Sequence, residues 1–175
     1  MVDVLTPEQR RLNMSRIRGR DTKPELLVRR GLHALGFRYR LQDKKLPGRP
    51  DLVFPRHNAV IFVHGCFWHG HNCPLFKLPA TRQEFWSQKI MSNRVRDERT
   101  TTALLELGWR VANVWECSIR GRAKLAVDDM ISNCQHFLLS PEITTINISG
   151  TEITDADKNQ RKAIRPSRSG RSEAP

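Results

Sequence analysis

Residues 47–73, PGRPDLVFPRHNAVIFVHGCFWHGHNC, gather a Pro-Asp pair, four histidines, two cysteines and a Phe-Trp pair into one short span. Asp51 opens a short apolar segment, and Val63 and His64 close the next one. If the two segments pair as strands, the Asp51 carboxylate, the Val63 carbonyl and the His64 ring meet at one sheet edge. Oxygen donors of that kind suit a hard cation such as Mg²⁺, which can polarise a phosphate and supply bound hydroxide for in-line attack. His64 or His69 can then act as general base or acid, because imidazole titrates near neutral pH. Taken singly, each residue has an ordinary reading, Asp51 as a turn cap and His64 as a hydrogen-bonded core histidine. Their convergence within nineteen positions favours a site.

A second chemistry overlaps the first. Cys66, His69, His71 and Cys73 lie within eight residues, and Cys117 follows the next apolar strand pattern. Four Cys or His ligands in a closed tetrahedron describe a structural zinc site. Ligands in a loop, joined to one on a distant strand end, would pin that loop to a sheet. Spacing does not choose between His69 and His71. Cys134 sits on the apolar side of a helix pattern and reads as core.

The elements that must position these groups follow from periodicity. Residues 7–20, PEQRRLNMSRIRGR, form an arginine-dense N-terminal segment with loose helical spacing. Thr22-Lys23-Pro24-Glu25 is a capping box opening a helix that Gly36 stops; the box alone explains a Glu at position 25. Residues 37–41 alternate as a strand, and 51–54 and 59–63 form further strands, the last a continuous apolar run buried on both faces. Residues 65–79 are too rich in Gly, His, Cys and Pro for regular structure. Thr81-Arg82-Gln83-Glu84 reads as a second capping box, opening a long helix to about Leu107. Trp86, Lys89, Ile90 and Asn93 share one face of it at i, i+3, i+4 and i+7. A strand over 109–116 and a helix over 122–139 complete an α/β fold, a mixed sheet flanked by helices. This is one domain over residues 1–140. From Ser140 the composition loses its apolar period, and residues 141–175 read as a disordered tail.

The 30 basic residues outnumber the 18 acidic, for a net charge of +12. The segment after Ser140 is nearly balanced, so the excess lies on the folded part and points to a phosphate backbone as partner. No apolar run reaches the ~20 residues of a membrane helix, and the N-terminus lacks the apolar core of a signal peptide. A cytoplasmic protein is expected, its cysteines metal-bound or free rather than paired.

The motifs GRPDLVF, VIFVHGCFWHGHNCPLFKLPATRQEFW and ELGWRVANVWEC, in that order, resemble the very-short-patch-repair (Vsr) DNA mismatch endonucleases over roughly residues 8–138. That family is similar to restriction endonucleases of the PD-(D/E)xK type, with a threonine-histidine pair replacing the usual acid and lysine. The resemblance implies a monomeric enzyme that nicks double-stranded DNA 5′ to the thymine of a T·G mismatch left by deamination of 5-methylcytosine. Other mismatch-repair proteins are implied partners. Position by position, it implies that Asp51 binds Mg²⁺, that His69 is the catalytic base, and that His64 stands beside the metal water with Glu25 supporting it. It implies Cys66, His71, Cys73 and Cys117 as zinc ligands. Phe67, Trp68 and Trp86 match an aromatic wedge, and Lys89 and Asn93 match residues that read the wobble pair. Val63 stands where the family often has threonine; a residue that binds metal through its carbonyl tolerates that exchange.

A different class of reading is a zinc-stapled DNA-binding module that recognises mismatched or distorted DNA without cutting. Such a module has no use for a carboxylate facing phosphates. A restriction-type nuclease cutting both strands fits less well with the Phe67-Trp68 wedge and a single core of monomer size.

Overall fold

The computed structural model describes residues 6–15 and 20–150. Its helices are α1 (Pro7–Ser15), α2 (Lys23–Ala34), α3 (Gln83–Glu106) and α4 (Val127–Leu139). Its strands are β1 (Arg40–Leu41), β2 (Leu52–Phe54), β3 (Ala59–His64), β4 (Arg110–Trp115) and β5 (Thr145–Ile148). They form one mixed sheet in the order β1-β2-β3-β4-β5. The first two pairings are antiparallel and the last two parallel, so α3 and α4 are the crossovers that parallel neighbours require.

Strand alternation builds two cores. Leu52, Phe54, Ala59, Ile61, Ala112 and Val114 face α2 and α4, where Val28, Leu32, Met130 and Phe137 meet them. Val53, Val60, Phe62 and Val111 face the other way, onto Leu104 of α3. Burial on both faces explains the unbroken apolar run of β3. Cys134 is fully buried in the first core, as its helical position suggested.

The helix signals mostly hold. Thr22 caps α2, its hydroxyl oxygen accepting from the Glu25 amide at 3.4 Å. Both α2 and α3 end in Schellman motifs: Phe37 N–H reaches the Leu32 carbonyl and Trp109 N–H the Leu104 carbonyl. The glycines that permit this, Gly36 (φ +87°) and Gly108 (φ +78°), are the ones the sequence marks.

Other expectations are corrected. The box at Thr81–Glu84 does not form. Arg82 takes the cap position in a left-handed conformation without a side-chain cap, and Glu84 accepts instead from Gln88 one turn on. The strand expected from residue 37 shrinks to Arg40–Leu41, because its partner β2 ends at Phe54 and turns away through Pro55–His57, although Phe37 and Tyr39 still pack their rings on Phe54. The last helix starts at Val127 rather than 122, since the Leu125 amide is drawn back to the Ser118 carbonyl. Order also continues past Ser140: β5 pairs with β4 from Val111↔Thr145 to Val114↔Ile148. Buried Arg110 fastens that junction by donating to carbonyls of His57, Phe137, Leu138, Ser140 and Ile143. Residues 151–175, and residues 1–5 and 16–19 of the basic N-terminal segment, lie outside the described residues. No helix among the described residues is long and apolar enough to cross a membrane.

A chain ending at Ser140 loses the burial of Ile148 and the β4–β5 ladder. It is expected to melt at a clearly lower temperature than the full chain, since burying one such side chain contributes about 1.5–3 kcal/mol. Calorimetry of the two chains checks this; equal melting temperatures would contradict a structural role for β5.

Candidate active site and metal centre

Parity places Asp51 and His64 on the α3 face of the sheet, with Val53 and Phe62. The register pairs Leu52 with Ile61, so two residues further Pro50 stands opposite Val63. Proline has no N–H to give the ladder. The Val63 amide donates instead to the Asp51 carboxylate at 2.8 Å. A strand residue points its N–H and C=O to the same side. The Val63 carbonyl therefore faces the Asp51 edge, opposite a residue that cannot donate to it. A carboxylate and a carbonyl there form the start of a hard-cation site.

Asp51 lines a cleft of about 400 Å³ with Glu25, His64, His69, Arg96 and Asp97. Burial pushes its carboxyl up to about 6; the Val63 amide opposes the shift and nearby Glu25 adds to it. His64 moves the other way. Burial first, and then His69 beside it, hold its imidazole down at about 4, so His64 is neutral at neutral pH. The two rings lie 4.1 Å apart, too close for both to carry charge cheaply.

His69 has a different partner. Its Nδ1 contacts the carboxylate of Asp97 on α3. A carboxylate can only accept, so Nδ1 carries the proton and Nε2 presents its lone pair. Sequence reading missed Asp97. The signal was present: extending the stripe of Trp86, Ile90 and Asn93 by one more turn reaches it.

Glu25 lines the same cleft but is held elsewhere. It accepts from the Asp21 amide, the Thr22 hydroxyl and Arg29, the last at 2.9 Å. His64 is not among these partners, and the charge of Glu25 reaches the cleft by raising the Asp51 carboxyl.

The loop after β3 carries the second cluster. One ligand atom from each of Cys66, His71, Cys73 and Cys117 lies within 4.8 Å of the others. His71 Nδ1 is 3.7 Å from Cys66 Sγ and 3.6 Å from Cys117 Sγ. Those spacings match the edges of a tetrahedron with metal–sulfur bonds of about 2.3 Å and metal–nitrogen bonds of about 2.0–2.1 Å. Burial raises the Cys66 and Cys117 thiols, so a cation is what would let them ionise together. Amides of Cys117 and Gly150 point at the Cys66 and Cys117 sulfurs, both at 3.3 Å. A side chain at Gly150 would sit 2.5 Å from the Cys117 carbonyl oxygen. The four residues fit a closed metal site, with His71 in it and His69 outside.

Trp115 joins the two centres. Its ring stacks on His71 at 4.1 Å and packs on His64 at 5.2 Å. Asn147 of β5 accepts from the Trp115 indole and from Asn113, and Asn113 in turn hydrogen-bonds His64.

Phe67, Trp68 and Trp86 form a half-buried aromatic cluster, with Phe67 centroids 5.2 Å from Trp68 and 5.3 Å from Trp86. Phe76 and the exposed Phe85 extend it, which the sequence reading did not foresee. Lys89 is exposed on α3. Asn93 is only 5% exposed, donates to the Trp68 carbonyl at 2.8 Å and accepts from Arg96. So held, its amide fastens the loop to α3.

A mixed α/β sheet bearing a carboxylate, two imidazoles and an aromatic patch at one edge, on a strongly basic chain, defines a nuclease-like enzyme. Comparison with known proteins narrows the class. Residues 2–75 match the family model described as DNA mismatch endonuclease Vsr. The chain is 53% identical over 119 residues to the Type II nicking enzyme V.XorIIP of Xanthomonas oryzae, covering 68% of this chain and 88% of that protein. It is 48% identical over 138 residues to DNA mismatch endonuclease Vsr of Escherichia coli, covering 79% of this chain and 88% of that one. The Type II nicking enzyme V.NmeAIP of Neisseria meningitidis is 42% identical over 123 residues, covering 70% and 88%. The chain belongs to the Vsr family of DNA mismatch endonucleases.

The raised Asp51 pKa has a consequence for stability. The folded state holds this proton more tightly than the unfolded state, so stability falls as pH rises from about 4 through about 6. Asp51→Asn is therefore expected to stabilise the metal-free protein at about pH 7, by up to roughly 3 kcal/mol, and to have no such effect below about pH 4. Denaturant titrations in chelator at both pH values check this; an Asn variant less stable at neutral pH would contradict it.

Proposed function

We propose that this endonuclease nicks one strand of double-stranded DNA 5′ to the thymine of a T·G mismatch, the product of 5-methylcytosine deamination, and so opens very short patch repair. The fold is read as restriction-endonuclease-like, of the PD-(D/E)xK type. The observation that carries the hydrolytic part is the Asp51–Val63 contact beside the His64–His69–Asp97 cluster. Family membership and the aromatic cluster, in which Trp86 of α3 meets Phe67 and Trp68 of the loop that also carries His69, support the mismatch.

A magnesium ion held by the Asp51 carboxylate and the Val63 carbonyl would supply positive charge to the scissile phosphate and its attacking water. Valine in place of threonine leaves that carbonyl available. His69 accepts a proton from the attacking water at Nε2, while Asp97 keeps Nδ1 protonated and the ring aligned. The water oxygen bonds to phosphorus as the bond to the leaving oxygen breaks. His64, its imidazole held down at about 4 by burial, is a weaker proton acceptor than the reaction calls for and serves as a hydrogen-bond partner beside the base.

Zinc is the ion proposed for Cys66, His71, Cys73 and Cys117, because thiolates and imidazole in a closed tetrahedron match its preference. It stiffens the loop that offers Phe67 and Trp68 to DNA. Trp86 completes the wedge. Unstacking costs a few kcal/mol per step and least where pairing is already poor, which turns mismatch weakness into selectivity. Lys89, exposed on α3 beside the wedge, is a candidate for contact with the wobble pair or its backbone. A monomer working with other mismatch-repair proteins in the cytoplasm suits this role.

The test uses a T·G duplex and its T·A control with Mg²⁺. The wild type is expected to nick only the mismatched thymine strand, and Asp51→Ala to bind without nicking. Asp97→Asn is expected to slow nicking by about 10²- to 10⁴-fold at unchanged duplex affinity. Equal cutting of both duplexes would overturn the mismatch reading, and full activity of Asp51→Ala would overturn the site. Cys117→Ser is expected to reduce bound zinc from one ion per chain to none and to lower the melting temperature.

A further inference from the structure

We infer that Arg96 grips the phosphate of the strand being cut, and that Asn93 joins this grip to the backbone of Trp68. The inference rests on the nuclease reading above.

The cleft contains three carboxylates, those of Glu25, Asp51 and Asp97. A phosphate entering it needs cations from the protein as well as from any bound metal. Arg29 cannot serve, because its guanidinium is bonded to Asp21 and Glu25. The arginines lining the cleft are Arg49 and Arg96. Among the described residues neither has a carboxylate partner. Arg96 is the one whose guanidinium is held: one of its nitrogens donates to Asn93 Oδ1 at 3.0 Å. That bond uses one of five N–H donors, leaving the fork available for the paired phosphate bonds that arginine makes well.

The other end of the Asn93 amide matters equally. Its Nδ2 donates to the Trp68 carbonyl at 2.8 Å. The amide orientation follows from its neighbours, because arginine can only donate and a carbonyl can only accept. A buried amide with both ends occupied moves as a unit with what it holds. A duplex that admits the aromatic pair leaves Trp68, Asn93 and Arg96 in register with the cleft. One that displaces the loop disturbs the phosphate grip as well. Discrimination and rate thus share one hydrogen-bond chain, and Asn93 is its positioning residue.

The test is single-turnover nicking of a T·G duplex at saturating enzyme, with duplex affinity measured separately. Wild-type nicking of that duplex is the control for the underlying reading, so failure there is distinguishable from failure of this inference. Arg96→Ala is expected to slow the nicking step about 10- to 100-fold while affinity changes little. Arg96→Lys should recover part of the loss through its charge but not its fork. Asn93→Ala should slow nicking and also lower the ratio of T·G to T·A cutting. In the double variant the rate loss should be smaller than the product of the two single losses. Wild-type nicking by Arg96→Ala, or independent losses that multiply, would overturn the inference. Should Asn93→Ala fail to fold, the exposed Arg96 side chain still decides through its Ala and Lys variants.

Discussion

The constraint on which the molecule depends is the convergence of three sulfurs and one imidazole nitrogen at the end of the sheet. Cys66 and Cys117 are buried, and buried thiols resist ionisation unless a cation sits among them. Residues 65–79 contain little regular backbone pairing of their own. What holds them is the cluster, which ties the loop after β3 to the turn after β4. Through the Gly150 amide it reaches the end of β5 as well. Without that clasp, the loop that carries Phe67 and Trp68 would keep only its links to α3, through Asn93 and Asp97.

The cleft and the clasp are neighbours with separate chemistry. Asp51 and Val63 offer oxygens, which favour hard ions; the clasp offers sulfur and nitrogen, which favour zinc. His69 and His71 are two residues apart yet belong to different centres, one bonded to Asp97 and one among the thiols. Trp115 lies between, stacked on His71 and packed against His64. Function also opposes stability here. The buried Asp51 carboxylate destabilises the fold at neutral pH, a cost that the proposed cation would offset.

Much of this was legible in the sequence because it is local. The unbroken apolar run of residues 59–63 marked a strand covered on both faces, and Gly36 and Gly108 marked helix ends that only φ > 0 residues close well. Strand parity was enough to bring Asp51 and His64 to one edge. The rest depended on contacts distant in sequence. Asp97 lies one turn beyond the stripe of Trp86, Ile90 and Asn93, but its partner His69 stands 28 positions away, and nothing in the stripe names that partner. Spacing alone left His69 and His71 open; the resemblance implied His71, and the geometry of the loop groups His71 with the three cysteines. β5 was missed because Thr145–Ile148, although it alternates polar and apolar residues, is only four residues long and gains its pairing from distant β4. The contact of Asn93 with the Trp68 carbonyl spans 25 positions, and the shared helix face gave no sign of the loop that folds over it. The Thr81 box failed because Arg82 adopts a left-handed cap, which side-chain type does not foretell.

The separation of clasp from cleft can be read directly by replacing the structural ion with cobalt(II). The protein is expected to show the visible ligand-field bands of tetrahedral cobalt and near-ultraviolet thiolate charge transfer. Both should stay unchanged when magnesium and a T·G duplex are added and nicking begins. Octahedral-type weak bands, or bands that shift as magnesium binds, would mean that the thiolate cluster takes part in hydrolysis and would contradict the division of labour described above.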